Sequence, residues 1–336
     1  MSRHDIIAIG GSTGSIEALK HLLSRLPRDL PAAIFVVVHI GAIGRNLLAS
    51  ILDTRCELSV QTAMEGEPVQ QGHVYVAPAD NHLLVIEDTI RLGRGPRENL
   101  TRPAVDPLFR SVAISYGPRV IALVLTGALD DGAAGLADVK RCGGITVVQN
   151  PADAVVPDMP LNALRASDVD YRESLAGLAD LLERLVEEPA GVPPEQLPYD
   201  LRLEVDIARG RPVTDTEVVH IAQPSTLSCP ACGGVLSQIK RKPLRFRCQV
   251  GHAYSAETLA SQHEGSVDEA LRLALRIIDE RKVLSEKMAG DAAQNGQVAI
   301  AARYDERAAG FRQHLETLSE LLLRIESTEL QRSRVR

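Results

Sequence analysis

The sequence predicts a doubly wound α/β domain on a parallel sheet with an antiparallel hairpin, then a small cysteine-bearing module and a C-terminal helical hairpin. Three observations carry this. From Asp5 to about Glu188, short apolar runs rich in β-branched residues alternate with helical patterns, and strands apolar on both faces belong to parallel sheets covered on both sides. Between Glu187 and Tyr199 stand Pro189, Gly191, Pro193, Pro194 and Pro198, too many prolines for the interior of an element and typical of a semi-rigid linker. Near the end, Tyr304, Ala308, Phe311, Leu315, Leu318, Leu322 and Ile325 recur at alternating intervals of four and three, the seam of a packed helix pair or coiled coil.

The strands of the first domain are expected at Ile6 to Ile9, Ala33 to Val38, Leu58 to Gln61, Val120 to Leu125 and Ile145 to Val148. Helices are expected at Ser15 to Leu26, Arg45 to Asp53, Asp106 to Tyr116 and Ala133 to Arg141. His73 to Ala77 and Leu83 to Arg91 flank the turn residues Pro78, Ala79, Asp80 and Asn81, so these two runs are read as the antiparallel hairpin. Leu201, Leu203, Val205 and Ile207 alternate with polar residues and read as a strand. Ser266 and Glu269 form a capping box that opens a helix running to Met288 and stopping at Gly290, with a further break at Asn295 and Gly296. An intramolecular helix pair is preferred over a dimerisation zipper for the last seam. The division is therefore residues 1–188, a connecting segment 189–224, a cysteine module 225–255 and a helical region 256–336.

A length of 336 residues suggests two or three domains. Apolar residues at 45% and charged residues at 24% are ordinary for a globular chain and exclude disorder as a whole. Aromatic residues make up 3% with no Trp, which argues against stacking platforms for nucleic acid. A net charge of −7 gives no overall basic footprint for it either. The first residues, MSRHDIIAIGGSTG, lack the pattern of a signal peptide, and no apolar run is long enough to span a bilayer. Cytoplasmic residence without membrane insertion is expected. Five cysteines, three of them clustered late, fit a reducing compartment. Cys56 and Cys142 read as small buried hydrophobes.

The chemistry begins after the first strand, at Gly10-Gly11-Ser12-Thr13-Gly14-Ser15. A dinucleotide fingerprint needs glycine where Ser12 and Ser15 stand, and a P-loop needs a Lys that is absent. Gly10 to Gly14 does fit G-x-S-x-G, a sharp strand-to-helix turn that exposes a serine, with helix N-terminal amides near any oxyanion. A purely structural glycine turn is the competing reading. A nucleophilic serine needs a base and an orienting acid. His39 closes the run Phe35-Val36-Val37-Val38, at the carboxyl edge where open α/β sheets place their sites. Val120 to Leu125 empties into Thr126-Gly127-Ala128-Leu129-Asp130-Asp131-Gly132, which brings an acid to the same edge. Spacing cannot separate Asp130 from Asp131, and either could cap the next helix.

A second constellation is Cys229-x2-Cys232, fifteen residues, then Cys248-x3-His252. Two short knuckles of this kind can surround tetrahedral Zn(II) with three thiolates and one imidazole and leave no open position. A structural zinc in a zinc-ribbon-like module is expected, against a redox pair or unmetallated cysteines. Lys240, Arg241, Lys242, Arg245 and Arg247 lie between the knuckles with no acid among them. They read as a solvated basic face, with docking of an acidic partner as the alternative.

In order along Asp5 to about Glu188, the blocks GGSTGS, VVVHI, HVYVAPADNHLLV, RPAVDPLFRSVA, LTGALDDGAAG and CGGITVVQNPADAVVPDMP resemble the catalytic domain of the CheB-type chemotaxis protein-glutamate methylesterases. The resemblance implies Ser12 as nucleophile, His39 as general base and Asp131 as orienting acid. Thr13 and Ala128 become the oxyanion-hole or cleft candidates. The implied reaction converts a glutamyl methyl ester on a methylated chemoreceptor to glutamate and methanol, with no cofactor for catalysis. Ala128-Leu129 replaces the family's usual Met-Gly, Asp158 replaces a glycine, and no receiver domain is expected ahead of Ile6. Control is therefore expected from elsewhere, such as a separate response regulator or signalling partner reached through the C-terminal region. The competing class is a signalling scaffold in which a weakly catalytic esterase fold presents the zinc and helical modules.

Overall fold

The structure, a computed structural model, describes residues 2–39, 46–54, 56–212 and 214–335. Chain order gives β1 (Ile6–Gly11), α1 (Ser15–Leu23), β2 (Ala33–Val38), α2 (Leu48–Asp53), β3 (Ser59–Thr62) and β4 (His73–Val76). There follow β5 (His82–Ile86), β6 (Thr89–Gly93), α3 (Val105–Tyr116), β7 (Val120–Val124), α4 (Ala133–Arg141), β8 (Ile145–Gln149), α5 (Asp158–Ala166), β9 (Tyr171–Glu173) and α6 (Leu178–Glu187). Seven strands form one parallel sheet in the order β3-β4-β2-β1-β7-β8-β9.

Period-two alternation sorts each strand between two cores. Ile6 and Ala8 of β1 face a core built with α3, α4 and α5, while Ile7 and Ile9 face one built with α1, α2 and α6. Leu19, Leu22 and Leu23 of α1 are fully buried in the second core, each contributing on the order of 2 kcal/mol. The chain leaves β1 toward β2 and later returns to its other side as β7. That reversal makes a topological switch point at the carboxyl ends of β1 and β7, the crevice where such sheets bind ligands.

The hairpin is present, but its strands differ from the expectation. His73–Val76 pairs in parallel with β2 and β3, and the hairpin is β5–β6, folded within the run Leu83 to Arg91. Its turn is Glu87-Asp88, both left-handed at φ 51° and 56°, the twist that suits a two-residue hairpin. The expected helix start at Arg45 and Ile40 of the block VVVHI lie outside the described residues.

After α6 the chain forms α7 (Tyr199–Arg209), α8 (Asp215–Ile221), β10 (Ala222–Ser228), β11 (Val235–Ile239), β12 (Arg245–Cys248) and β13 (Ala253–Ser255). The alternation from Leu201 to Ile207, expected to be a strand, is helical. Leu201, Leu203, Glu204, Val205, Ile207 and Ala208 are all buried, while Arg202, Asp206 and Arg209 line the more open side; buried Glu204, paired with Arg110 and Arg245, stands in sequence as a polar residue between apolar ones and imitates the alternation of a strand. Strands β10 to β13 form an antiparallel sheet. It is continued by the segment at residues 97–99, since Asn99 N–H donates to Ala253 O at 2.9 Å and Ala253 N–H to Arg97 O at 3.3 Å. These elements belong to one compact unit that ends at Leu259.

The second unit, from Ala260, contains most of α9 (Ala256–Gln294) and all of α10 (Val298–Val335). No helix begins at Ser266, whose hydroxyl instead donates back to Gln262 O within α9, and Gly290 is also helical. The cap of α9 is Ser255, whose Oγ accepts from Thr258 N–H at 3.0 Å. The break at Asn295 and Gly296 separates α9 from α10 as expected. Tyr304, Ala308, Phe311, Leu315, Leu318, Leu322 and Ile325 are all covered or half-covered positions of α10, as is Ala301 one turn earlier. The Arg281 guanidinium lies 5.4 Å from the Phe311 ring centroid, and Arg312 pairs with Glu286 at 3.1 Å, so the two helices pack as a hairpin. No helix among the described residues is long and apolar enough to cross a membrane.

Candidate active site and metal site

Ser12 and His39 are brought side by side by strand register. Gly11 is aligned with Val38, and the next residue on each strand is Ser12 or His39, with His39 N–H donating to Gly11 O at 3.3 Å. Asp131 follows β7, the other neighbour of β1. Its Oδ2 is 2.7 Å from His39 Nε2, which leaves Nδ1 as the free ring nitrogen. No direct hydrogen bond joins Ser12 to His39.

The serine turn is built on close approach. Ser12 N–H donates to Thr126 O, and both the amide and the hydroxyl of Ser15 donate to Ser12 O. Gly14 sits in the left-handed region at φ 82° as the cap of α1, a conformation glycine adopts without strain. A Cβ on Gly127 would lie 2.8 Å from Ser12 Cβ and 2.1 Å from Met159 Sδ, so that position admits only glycine. Thr13 and Ala128 are both exposed beside this turn. Neither main-chain N–H donates to another described group, so both remain available to an oxyanion. Asp158 opens α5 without requiring a left-handed backbone.

Neighbouring acids have separate partners. Asp131 is buried and accepts from the main-chain N–H of Val105 at 2.6 Å, Gly132 at 3.0 Å and Asp106 at 3.3 Å, and from Asn99 Nδ2 at 3.0 Å. Burial alone would push its carboxyl up, but the His39 hydrogen bond and charge, with the Val105 and Asn99 donors, outweigh this and hold it below its usual value. Asp130 instead accepts from Ser255 Oγ at 2.6 Å and Thr258 Oγ1 at 3.1 Å, tying down the start of α9. Burial and the charge of Asp131 push Asp106 up to about 7.

Sequence reading passed over Asn99, Asp106 and the charges around them. Arg110 pairs at 2.9 Å with both Glu98 and Glu204, Arg245 pairs with Glu204 at 2.9 Å, and Arg247 pairs with Glu98 at 3.0 Å, all of them buried. Signs alternate along Arg245, Glu204, Arg110, Glu98 and Arg247, which offsets the cost of taking each charge out of water. Arg245 and Arg247 are thus no solvated basic face. They dock β12 on acids of the same chain, while Lys240 caps α8 through Val219 O and His220 O, and Arg241 pairs with Asp200. No signal in the local sequence marks these pairs.

Cys229, Cys232, Cys248 and His252 converge with all ligand atoms within 4.8 Å of one another. The separations are 3.7 Å for Cys232 to Cys248, 3.8 Å for Cys229 to His252 Nδ1 and 3.5 Å for Cys248 to His252 Nδ1. A tetrahedral zinc with Zn–S about 2.3 Å and Zn–N about 2.0 Å sets edges of about 3.8 Å and about 3.5 Å. The set therefore has the spacing to hold such an ion.

A doubly wound sheet with a serine turn and a histidine–carboxylate pair at its switch point defines the first part of the chain as an esterase-type α/β domain. The chain belongs to the CheB methylesterase family, whose signature matches residues 7–182. A Methanosarcina mazei protein named protein-glutamate methylesterase/protein-glutamine glutaminase 2 is 38% identical over 193 residues, 55% of this chain and 53% of that one. A Leptospira interrogans protein, given the same pair of activities provisionally, is 40% identical over 183 residues, 54% of this chain and 95% of that one. The crystal structure of the Thermotoga maritima CheB methylesterase catalytic domain matches with a TM-score of 0.53 at 34% identity, covering 55% of this chain and all of that one. The chain spans about half the length of the Methanosarcina relative, and the family match does not extend to its own module and helices.

Proposed function

We propose that the chain is a cytoplasmic serine esterase that hydrolyses glutamyl methyl esters on a methylated chemoreceptor or receptor-like protein, releasing methanol. The observation that carries this is the His39–Asp131 pair at 2.7 Å beside Ser12 in strand register. His39 Nδ1 takes the Ser12 proton as Oγ attacks the ester carbonyl, and Asp131 stabilises the imidazolium that forms. The Thr13 and Ala128 amides receive the oxyanion. His39 then protonates the departing methoxide, and water hydrolyses the acyl-serine by the reverse proton path. The relatives' names support the ester substrate.

The division proposed is a catalytic domain at 1–188, a connecting segment at 189–224, a zinc module at 225–255 and a helical region at 256–336. Cys229, Cys232, Cys248 and His252 would hold a structural zinc, which would cross-link β10–β13 and supply no catalytic step. The helical region is proposed to dock a receptor, response regulator or other signalling partner. The decisive measurement is methanol release from methylated receptor fragments by the full chain and by Ser12→Ala. Release that is lost with Ser12 supports the esterase, and no release from the parent favours the scaffold.

A further inference from the structure

Asn99 connects the acid beside His39 to the four-stranded module. Its side chain is buried, and its two amide hydrogens are divided between two carboxylates, with Nδ2 3.0 Å from Asp131 Oδ1 and 3.3 Å from Asp106 Oδ2. On its other side, Oδ1 accepts the main-chain N–H of Ser255 at 2.9 Å, at the end of β13. Its own N–H donates to Ala253 O. An N–H on that side can be met only by the amide oxygen, so the NH2 group is forced to face the carboxylates. The backbone is left-handed at φ 48°, a conformation that asparagine accepts better than most residues.

Among the described residues this amide is the one side-chain donor to Asp131 Oδ1, beside the main-chain N–H groups of Asp106 and Gly132, and Oδ2 faces His39. Asp131 and Asp106 face each other in a buried space, where like charge is costly, and the Asn99 amide bonds to both, beside the Gly132 N–H that also donates to each and Arg110 at 3.5 Å from Asp106. We infer that Asn99 is a positioning residue of the esterase site and that the docked β10–β13 module sets it, so that full turnover depends on the module. This rests on the Ser12–His39–Asp131 reading above. The module's grip on the domain is the Arg247–Glu98 and Arg245–Glu204 pairing, with Asp130 holding Ser255 and Thr258.

The test uses the full chain and a small activated ester. Asn99→Gly keeps the left-handed backbone and the main-chain bond to Ala253 and removes only the amide. Asn99→Asp keeps the size and the acceptor for Ser255 but loses the donor, and it serves should the glycine variant unfold. Each should lower kcat by about ten- to a hundredfold, the loss of one charge-assisted hydrogen bond, with KM within about twofold and unchanged circular dichroism. The low-field proton resonance of the His39–Asp131 hydrogen bond should move in both. Arg247→Met, which loosens the module, should lower kcat in the parent but add little to Asn99→Gly, because the two losses share one route. Parental kcat in a folded Asn99 variant while Ser12→Ala is inactive overturns this inference alone. Equal losses from Arg247→Met in both backgrounds overturn the module's part. An active Ser12→Ala overturns the reading on which the inference rests.

Discussion

Asp130 and Asp131 are adjacent in the chain and serve different structures: Asp131 meets His39 at 2.7 Å, and Asp130 meets Ser255 at 2.6 Å. The first contact completes a histidine–carboxylate pair at the sheet edge, and the second fastens the cap of α9 to the same loop. One short loop after β7 therefore serves the site and the attachment of the module.

Asp131→Asn should reduce turnover by about 10⁴-fold, because an amide supports the wrong imidazole tautomer and cannot stabilise the imidazolium. Asp130→Asn should change kcat by less than about threefold while lowering the unfolding free energy by about 1 kcal/mol, through a weakened pair of hydroxyl donors. Steady-state kinetics beside urea unfolding separates the two effects. The reverse ranking would show that Asp130 is the orienting acid.

Ser12→Ala should leave the melting temperature close to that of the parent and cut ester hydrolysis by about 10⁴-fold or more. His39→Ala should be about as damaging, since residues of such a unit act together and their losses do not add. A double variant much slower than either single one would contradict that coupling.

Purified protein should contain one zinc per chain. Because Arg245 and Arg247 join β12 to buried Glu204 and Glu98, removing the metal should not leave the esterase domain untouched. Chelation should lower the thermal midpoint of the unit as a single transition. Zinc retained in a Cys232→Ser plus Cys248→Ser variant would falsify the ligand set.

Stability should fall as pH rises from about 4 to about 7. Burial and the charge of Asp131 push Asp106 up to about 7, and burial pushes Asp138 up to about 6, from an ordinary 3.8. Each acid binds its proton more tightly folded than unfolded, so its contribution is complete below about pH 4 and is lost as pH rises through the folded value. Glu204 runs the other way. Burial opposes its charge, but the Arg110, Arg245 and Arg247 guanidiniums hold its carboxyl down to about 2, so its contribution is complete above an ordinary 4.5 and is lost as pH falls from there through about 2. Asp138→Asn should flatten the part of the decline between about pH 4 and about pH 6 in a series of thermal melts. An undiminished slope there would exclude Asp138 as its source.

Local pattern was enough for much of this molecule. The apolar runs around Ile6, Phe35 and Leu123 each lie within a strand, because a doubly covered strand must be apolar on both faces and shows that in five or six residues. The glycine-flanked Ser12 turn, His39 at the end of its strand and the paired cysteine knuckles were readable for the same reason, since each depends on residues close in sequence. Leu201 to Ile207 reads as a strand because buried Glu204, paired with Arg110 and Arg245, stands as a polar residue between apolar ones and imitates a period of two.

By itself the sequence determined the α/β class, the edge of the sheet where Ser12, His39 and the Asp130-Asp131 loop meet, and the spacing of a four-ligand set. Tertiary structure decided which of two adjacent acids faces His39, whether Arg245 and Arg247 meet water or acids, and that Asn99 joins Asp131 to Ser255. The reason is distance along the chain. Glu98 and Arg247 are 149 residues apart, and Asn99 and Ser255 are 156 apart. Partners so far separated are chosen by how the sheet's crossovers and the module's strands bring them together, and no local periodicity encodes that choice.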